Sequence, residues 1–326
     1  MTQFGKSLAG RRVLVTGGLG LLGSSLVARA SDAGAEVTAL HRGSDPVAVD
    51  VSAHVNVARA DVSNQEALAN EFERARPELV IHLAGVSAVG DAQRLPKESV
   101  ESSVVGTLNV LEEARRSEAR GVVVASSDKA YGESDRLPYT EEMELRPKYP
   151  YEAAKAAADV ITRSYWHTYG LPVAVMRSAN LYGPGDRNVS RLVPSTISAI
   201  LQDRRPTVRS DGSPERDYLF VDDAAAAYLA VIDLLFEGEG FGEAFNVGTG
   251  VPRRAIDLVR SVLASAGSRL EPEILGSGTP EGEIGRQYMD SSKLERLTGW
   301  SAQTSLEEGI AQTIDWYREH PAALGL

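Results

Sequence analysis

Short apolar runs alternate along this chain with stretches whose apolar residues recur every three or four positions. RRVLVTG, AEVTAL, VNVARAD, ELVIHLAG, GVVVASS and LPVAVMRSA read as strands. LLGSSLVARASDAG, QEALANEFERA, SVVGTLNVLEEARR and YEAAKAAADVITRSYWHTYG carry the helical spacing between them. Most of these strands are Val/Ile-rich without a polar residue at every second place, so both of their faces are buried. Strand-helix alternation of this kind predicts an α/β fold with a parallel sheet covered on both sides.

The texture changes after Asn180. Gly, Pro and Arg become frequent through LYGPGDRNVSRLVPSTI and RSDGSPERDY. VDDAAAAYLAVIDLLF then predicts a helix returning to the first body, followed by the strand EAFNVG. Two further helical patterns, RRAIDLVRSVLASAG and SLEEGIAQTIDWYREH, fill the tail. The expected organisation is a first body of residues 1–180 plus 218–250, and a smaller mixed α/β lobe of residues 181–217 plus 251–326. Trp300, Trp316 and Tyr317 are expected to pack the C-terminal core.

Composition narrows the function. With 326 residues the chain can bury a full core. Its 34 basic against 45 acidic residues leave a net charge of −11, which argues against nucleic acid or an anionic membrane as partner. The absence of cysteine excludes disulfides, thiolate metal sites and cysteine nucleophiles. The five histidines are scattered, and none pairs at ligand spacing, so no metal is expected. The opening residues MTQFGKSLAGRR lack the apolar core of a signal peptide. No run approaches the roughly 18 apolar residues of a membrane span. A cytoplasmic location is the expectation.

Candidate chemistry begins at VTGGLGLLG, where Gly17, Gly20 and Gly23 follow the first strand and open the first helix. Glycines there allow a tight turn and close approach of a pyrophosphate to the helix N-terminus, the Rossmann arrangement. The carboxylate usual at the end of the second strand is missing. Arg42 stands there, with Asp45 nearby. Arg42 would hold a 2′-phosphate or be a solvated loop residue, which leaves NAD and NADP both open. Asp61 would bind the adenine amino group or simply start a turn.

Tyr151 and Lys155 stand at i and i+4 and share a helix face. An ammonium beside a phenol stabilises the phenolate and lowers its pKa, which would make Tyr151 a usable base. SSDKAYG places Asp128 and Lys129 together at the tip of a buried strand. They form either a structural ion pair or a proton-transfer couple.

TGGLGLLG, HLAG, GTLNVLEEA, SSDKAYG, YEAAK, RSANLYGPGD, RDYLFVDDAA, NVGTG and SSKLERLTGW together resemble the extended short-chain dehydrogenase/reductase family of nucleotide-sugar epimerases and dehydratases. The resemblance covers nearly the whole chain. It implies a cofactor site at Gly17, Gly20, Leu21, Leu22, Arg42, Asp61, Val62, Leu83 and Ala84, completed by Tyr151 and Lys155. It implies that Ser127 touches the sugar's 4-hydroxyl and that Asn180 and Arg216 hold the diphosphate. Arg191 and Arg209, with Arg187, suit the same anion, since arginine binds phosphate bidentately. A homodimer is implied, through the Tyr151 helix and the helix from Leu108 to Arg115. One position departs: Ser103 stands where the family usually carries the asparagine of its proton relay.

Within the family SSDKAYG is similar to the Asp-Lys pattern of CDP-glucose 4,6-dehydratases. A 4-epimerase only removes and returns a hydride at C4. A dehydratase must also take the C5 proton and protonate the departing C6 hydroxyl. By that resemblance Asp128 is the acid and Lys129 the base. The expectation is a nucleotide-sugar 4,6-dehydratase using bound NAD, or NADP because of Arg42. The alternatives are a 4-epimerase or uronate decarboxylase of the same family, and more distantly a non-catalytic dinucleotide-binding regulator.

Overall fold

The computed structural model describes residues 3–43, 54–280 and 282–326. The predicted alternation is present. β1 (Arg12–Thr16), α1 (Leu21–Asp32), β2 (Glu36–His41), β3 (Asn56–Arg59), α2 (Gln65–Ala75) and β4 (Leu79–His82) form the first half. Two short helices, α3 (Val89–Arg94) and α4 (Pro96–Val100), precede a π-helical turn (Glu101–Val105) and α5 (Gly106–Arg116). β5 (Gly121–Ser127), a 3₁₀ turn (Asp128–Tyr131), α6 (Pro150–Tyr169) and β6 (Val173–Ser178) follow. The remainder comprises β7 (Asn180–Tyr182), α7 (Leu192–Leu201), β8 (Thr207–Val208), β9 (Glu215–Phe220), α8 (Val221–Phe236), β10 (Glu243–Val247), β11 (Pro252–Arg254), α9 (Ala255–Ser265), β12 (Glu273–Ile274), α10 (Ser292–Thr298) and α11 (Leu306–Glu319).

The main sheet has the order β10-β6-β5-β4-β1-β2-β3, parallel throughout. Successive residues of a strand face opposite sides. Val13 and Val15 accordingly pack with Leu26 and Val27 of α1 and with α8, while Leu14 packs with Leu68 and Phe72 of α2 and Val110 and Leu111 of α5. Each fully buried Leu or Val contributes about 1.5–3 kcal/mol. The two layers explain why these strands lack a polar alternation. The chain leaves β1 toward β2 and β3, then returns to the other side of β1 as β4. Loops diverge there, and the crevice at the C-terminal strand ends is where such sheets bind ligands.

The residues after Asn180 build two small sheets, β11-β9-β7 and β12-β8. A separate cluster joins Val193 and Ile197 of α7, Leu258 and Val262 of α9, and Ile310, Ile314 and Tyr317 of α11. Tyr317 thus packs the C-terminal core as expected, and half-buried Trp316 lies at its margin, stacked on His320. Trp300 does not. It is buried in the main core against α8, with Nε1 donating to the Asp223 carbonyl at 3.0 Å. Met289 and Leu294 enter that same core. Among the described residues no helix is long and apolar enough to cross a membrane.

Candidate active site

The glycine loop leaves β1 at Thr16. Gly17 has φ +67°, and a β-carbon there would come within 3.0 Å of the Ala84 backbone nitrogen. A β-carbon on Gly23 would collide with the Gly17 carbonyl. These two glycines therefore let the β1 loop, the β4 loop and the start of α1 approach one another. Gly20 caps α1 without a side-chain hydrogen bond, which leaves the first amides of the helix, at Leu21 and Leu22, uncapped by it. Those amides and the positive end of the helix dipole fit a pyrophosphate.

The floor of this cleft is a fixed hydrogen-bond chain. Thr107 Oγ1 donates to the Ser103 carbonyl at 2.6 Å, so it accepts from His82 Nε2 at 3.0 Å. His82 Nδ1 then accepts from Thr16 Oγ1 at 2.7 Å, and Thr16 Oγ1 accepts from the Leu83 and Ala84 amides, both at 3.2 Å. Burial, aided by the Lys155 charge, pushes His82 down to about 3, so it stays neutral. Leu83 and Ala84 are held in place by this chain. Ser103, in the π-helical turn, accepts from the Val86 amide at 3.3 Å and pins the loop after β4.

Of the residues expected near an adenosine, Arg42 is exposed just beyond β2, while Asp45 lies outside the described residues. Asp61 Oδ1 accepts from the Ser63 amide and hydroxyl at 2.9 and 2.7 Å, the turn-starting geometry. Val62 is buried, and its carbonyl accepts from Asn109 Nδ2 at 2.9 Å.

The catalytic candidates converge where β5 ends. Ser127, Asp128, Lys129, Tyr151 and Lys155 are all buried. Ser127 Oγ donates to Asp128 Oδ1 at 3.0 Å and accepts from the Lys129 amide at 3.2 Å, which caps the 3₁₀ turn. The turn is anchored through Tyr131, whose hydroxyl donates to Asn246 at 2.7 Å and accepts from Arg177 at 2.9 Å. Arg177 also forks onto both oxygens of Asp159 at 2.8 and 3.0 Å. α6 is pinned at its start by Glu152, whose Oε2 accepts from the Lys148 and Tyr149 amides at 2.8 and 3.3 Å. That seats Tyr151 in the first turn, with Lys155 one turn on.

Asp128 and Lys129 are not an ion pair. Among the described residues Lys129 Nζ has its nearest carboxylate in Glu283, at 4.0 Å, and Asp128 has no ion pair within 4 Å. Burial raises the Asp128 carboxyl above its usual range, and Asp128 Oδ2 is buried without a hydrogen-bond partner. Burial, then the Arg216 charge, lowers the Lys129 amine. Desolvation thus favours the neutral form of each.

The expected depression of the Tyr151 phenol is not what the structure displays. Burial pushes it above its ordinary value, opposed by the neighbouring Ser127 hydroxyl and the Arg191 charge. Lys155 donates instead to the Ala125 carbonyl at 3.3 Å and is itself lowered to about 8 by burial. Sharing a helix face does not oblige the two side chains to meet.

Of the second-lobe candidates, Arg216 is buried and reaches Glu283 at 2.9 Å beside Lys129. Arg191 pairs with Asp186 at 3.1 Å and acts electrostatically on Tyr151. Asn180 opens β7, half-buried. Arg209 is exposed and donates to the Ser190 carbonyl at 2.7 Å, and Arg187 is exposed beside Asp186.

The model of the NAD dependent epimerase/dehydratase family matches residues 13–248. The chain belongs to that family. Its relatives include both dehydratases and epimerases. A probable dTDP-glucose 4,6-dehydratase of Sinorhizobium fredii is 34% identical, covering 95% of this chain and 93% of its own. A UDP-glucose 4-epimerase of Mycolicibacterium smegmatis is 32% identical, covering 94% and 98%. Among solved structures, the dTDP-glucose 4,6-dehydratase DesIV of Streptomyces venezuelae, with NAD bound, superposes with a TM-score of 0.85 at 29% identity, covering 95% and 98%.

Two residues that join the candidate site escape a reading of motifs. Glu283 and Gln287 come from the tail, more than 150 positions after Lys129, yet both face its amine. The signal available was the segment GEIGRQYMDSSK, polar where a core-packing tail would be apolar.

Proposed function

We propose that this chain is a nucleotide-sugar 4,6-dehydratase that binds NAD. The observation that carries the reading is the state of Asp128 and Lys129: adjacent, buried, unpaired with each other, and each biased toward neutrality. A neutral carboxylic acid can give a proton, and a neutral amine can take one.

The cofactor would lie along Gly17, Gly20, Leu21, Leu22, Asp61, Val62, Leu83 and Ala84, over Tyr151 and Lys155. Bound NAD would take up a hydride from the sugar and return it, so the cycle needs no second substrate. The residues of this chain move the protons. Ser127 orients the 4-hydroxyl and Tyr151 takes its proton, with Lys155 supplying positive charge. The C4 ketone acidifies the C5 hydrogen. Lys129 takes that proton, and Asp128 protonates the C6 hydroxyl as it leaves as water. A proton returned to C5 and the hydride received at C6 complete a 4-keto-6-deoxy sugar, one water lighter than the substrate. A deeply buried phenol is a weak base, so the Lys155 and Arg191 charges are what this step draws on.

Residues 181–217 plus 251–326 supply the sugar-nucleotide half in this reading, with Met289, Leu294 and Trp300 packing into the other body, and 1–180 plus 218–250 supply the cofactor half. Arg216, beside Lys129, and Arg191, beside Tyr151, serve the diphosphate with Asn180, and Arg209 extends that basic edge. The Asp-Lys pattern favours a CDP-glucose-like substrate. Exposed Leu108 of α5 and Val160 and Tyr169 of α6 support a homodimer through those helices. NAD is preferred over NADP on the family's description, with Arg42 the residue that would admit NADP.

Similarity to a UDP-glucose 4-epimerase favours a second reading, 4-epimerisation, which leaves Asp128 and Lys129 without work. Incubation with CDP-, UDP-, dTDP- and GDP-glucose, followed by product mass, separates the two. Loss of one water from one of them supports the dehydratase. A C4 epimer of unchanged mass removes it.

A further inference from the structure

Lys129 is held by a partner of an unusual kind for a buried amine. Its Nζ donates to the side-chain oxygen of Gln287 at 2.9 Å, and Gln287 is completely buried. Backbone pairing fixes Gln287 in this place. Its amide donates to the Glu215 carbonyl at 3.0 Å, the Tyr139 amide donates to the Tyr288 carbonyl at 3.0 Å, and the Asp290 amide donates to the Tyr139 carbonyl at 2.9 Å. The tail therefore crosses the site between the start of β9 and the segment around Tyr139.

Gln287 is a costly choice for that position. Among the described residues its buried Nε2 makes no hydrogen bond of ordinary geometry and has only the Tyr139 hydroxyl near it, and such a group destabilises a fold unless it is used. An apolar side chain would fill the space without this cost. A carboxylate would pair with Lys129 more strongly, yet the carboxylate present, Glu283, stands 4.0 Å from Nζ and is engaged by Arg216 at 2.9 Å. An amide oxygen accepts an N–H from a neutral amine as well as from an ammonium, and favours the ammonium only modestly. A carboxylate binds the ammonium selectively and so opposes loss of the proton.

We propose that Gln287 is a positioning residue for Lys129: its neutral oxygen holds the amine in both protonation states, while Arg216 keeps the Glu283 carboxylate from claiming it. This deepens the dehydratase reading and rests on it for the role of Lys129 as base. The charged and titratable groups facing the amine are Asp128 on its own turn, Arg216 on β9, Glu283 on the tail and Glu152 on α6. Gln287 is the neutral member of that ring and its closest contact.

The test uses two near-isosteric variants of the full chain, Gln287→Glu and Gln287→Met. Two measurements are made on each: the pH profile of dehydration, and the titration of Lys129 by NMR of ¹³Cε-lysine, assigned from the resonance lost in Lys129→Arg. Gln287→Glu is expected to raise the Lys129 titration and the acidic limb of kcat by about one unit or more. Gln287→Met, which removes an acceptor from the ammonium, is expected to move both downward, with kcat reduced and KM unchanged. Loss of a merely structural contact would not shift them in opposite directions. If Gln287→Glu fails to fold, a downward shift in Gln287→Met still supports the proposal and an unmoved one overturns it. Titrations unmoved by both variants while dehydration proceeds overturn the proposal and leave the dehydratase standing. Opposed NMR shifts in a protein that removes no water from any nucleotide sugar do the reverse.

Discussion

Two buried arginines, Arg177 on β6 and Arg216 on β9, are treated very differently. Arg177 forks onto Asp159, donates to Tyr131 and lies against that ring, and both charged side chains are 1% exposed or less. Arg216 reaches one oxygen of a half-exposed Glu283 and crowds a lysine. Around Arg177 the donors and acceptors close on one another, giving a rigid anchor for the Asp128–Tyr131 turn. Around Arg216 they do not: among the described residues Asp128 Oδ2 is left over, and Gln287 Nε2 has only the Tyr139 hydroxyl near it. A folding chain has no reason to bury loose polar ends, so the second cluster is organised for a ligand that completes it.

The contrast can be broken at either end. Arg177→Met leaves Asp159 buried and uncompensated, and is expected to lower stability by about 3–5 kcal/mol. Denaturant unfolding checks this, and a loss below about 1 kcal/mol would show that the anchor is not closed. Asp128→Asn is expected to act in the opposite sense. Dehydration falls by about 10²–10⁴-fold, the usual worth of a general acid, while the fold is not weakened.

The pH dependence sharpens this prediction. The folded-state pKa of Asp128 is raised, so the native protein binds the proton more tightly than the unfolded chain does. Its stabilising contribution is full below the unfolded value of about 3.9 and is lost as pH rises through the folded pKa. Asp128→Asn should therefore gain stability over wild type near pH 7, with the gain fading toward pH 4. Thermal melts across that range decide it, and a variant less stable at neutral pH would contradict the assignment of Asp128 as unsatisfied.

A smaller effect is expected at Arg216. Losing a charge-assisted contact to a diphosphate costs about 1.5–3 kcal/mol, so Arg216→Ala should raise KM for the nucleotide sugar about tenfold to a hundredfold. Steady-state kinetics check it, and an unchanged KM would place the diphosphate elsewhere. The smallest effect is at the other end of the cleft. Arg42→Ala should leave bound NAD unchanged and weaken only NADP, read by mass spectrometry of cofactor released on denaturation.

The main sheet was legible in the chain because all of its strands but the polar edge strand β3 carry an apolar run flanked by glycine or a helical pattern. The small sheets were not, since β7, β8, β11 and β12 are two or three residues long and carry no periodicity. α7 contains Pro194 in its first turn, where the missing N–H is harmless, but in sequence that proline hides the helix. For the candidate site, Gly17, Ser127, Asp128, Lys129, Tyr151 and Lys155 could be picked out because each sits in a contiguous motif. Those brought by tertiary contact, Glu283 and Gln287, were not, because nothing local to the tail marks them as facing Lys129. The phenol's environment was misjudged for a related reason. Spacing gives a shared face, while burial sets the pKa.

The central claim is that Asp128 and Lys129 expel the C6 hydroxyl between removal and return of one hydride. Turnover of the accepted nucleotide sugar in D₂O tests it most directly. The predicted product has lost one water and carries one solvent deuteron at C5. A product of unchanged mass, with inverted C4 and no deuterium at C5, would contradict it.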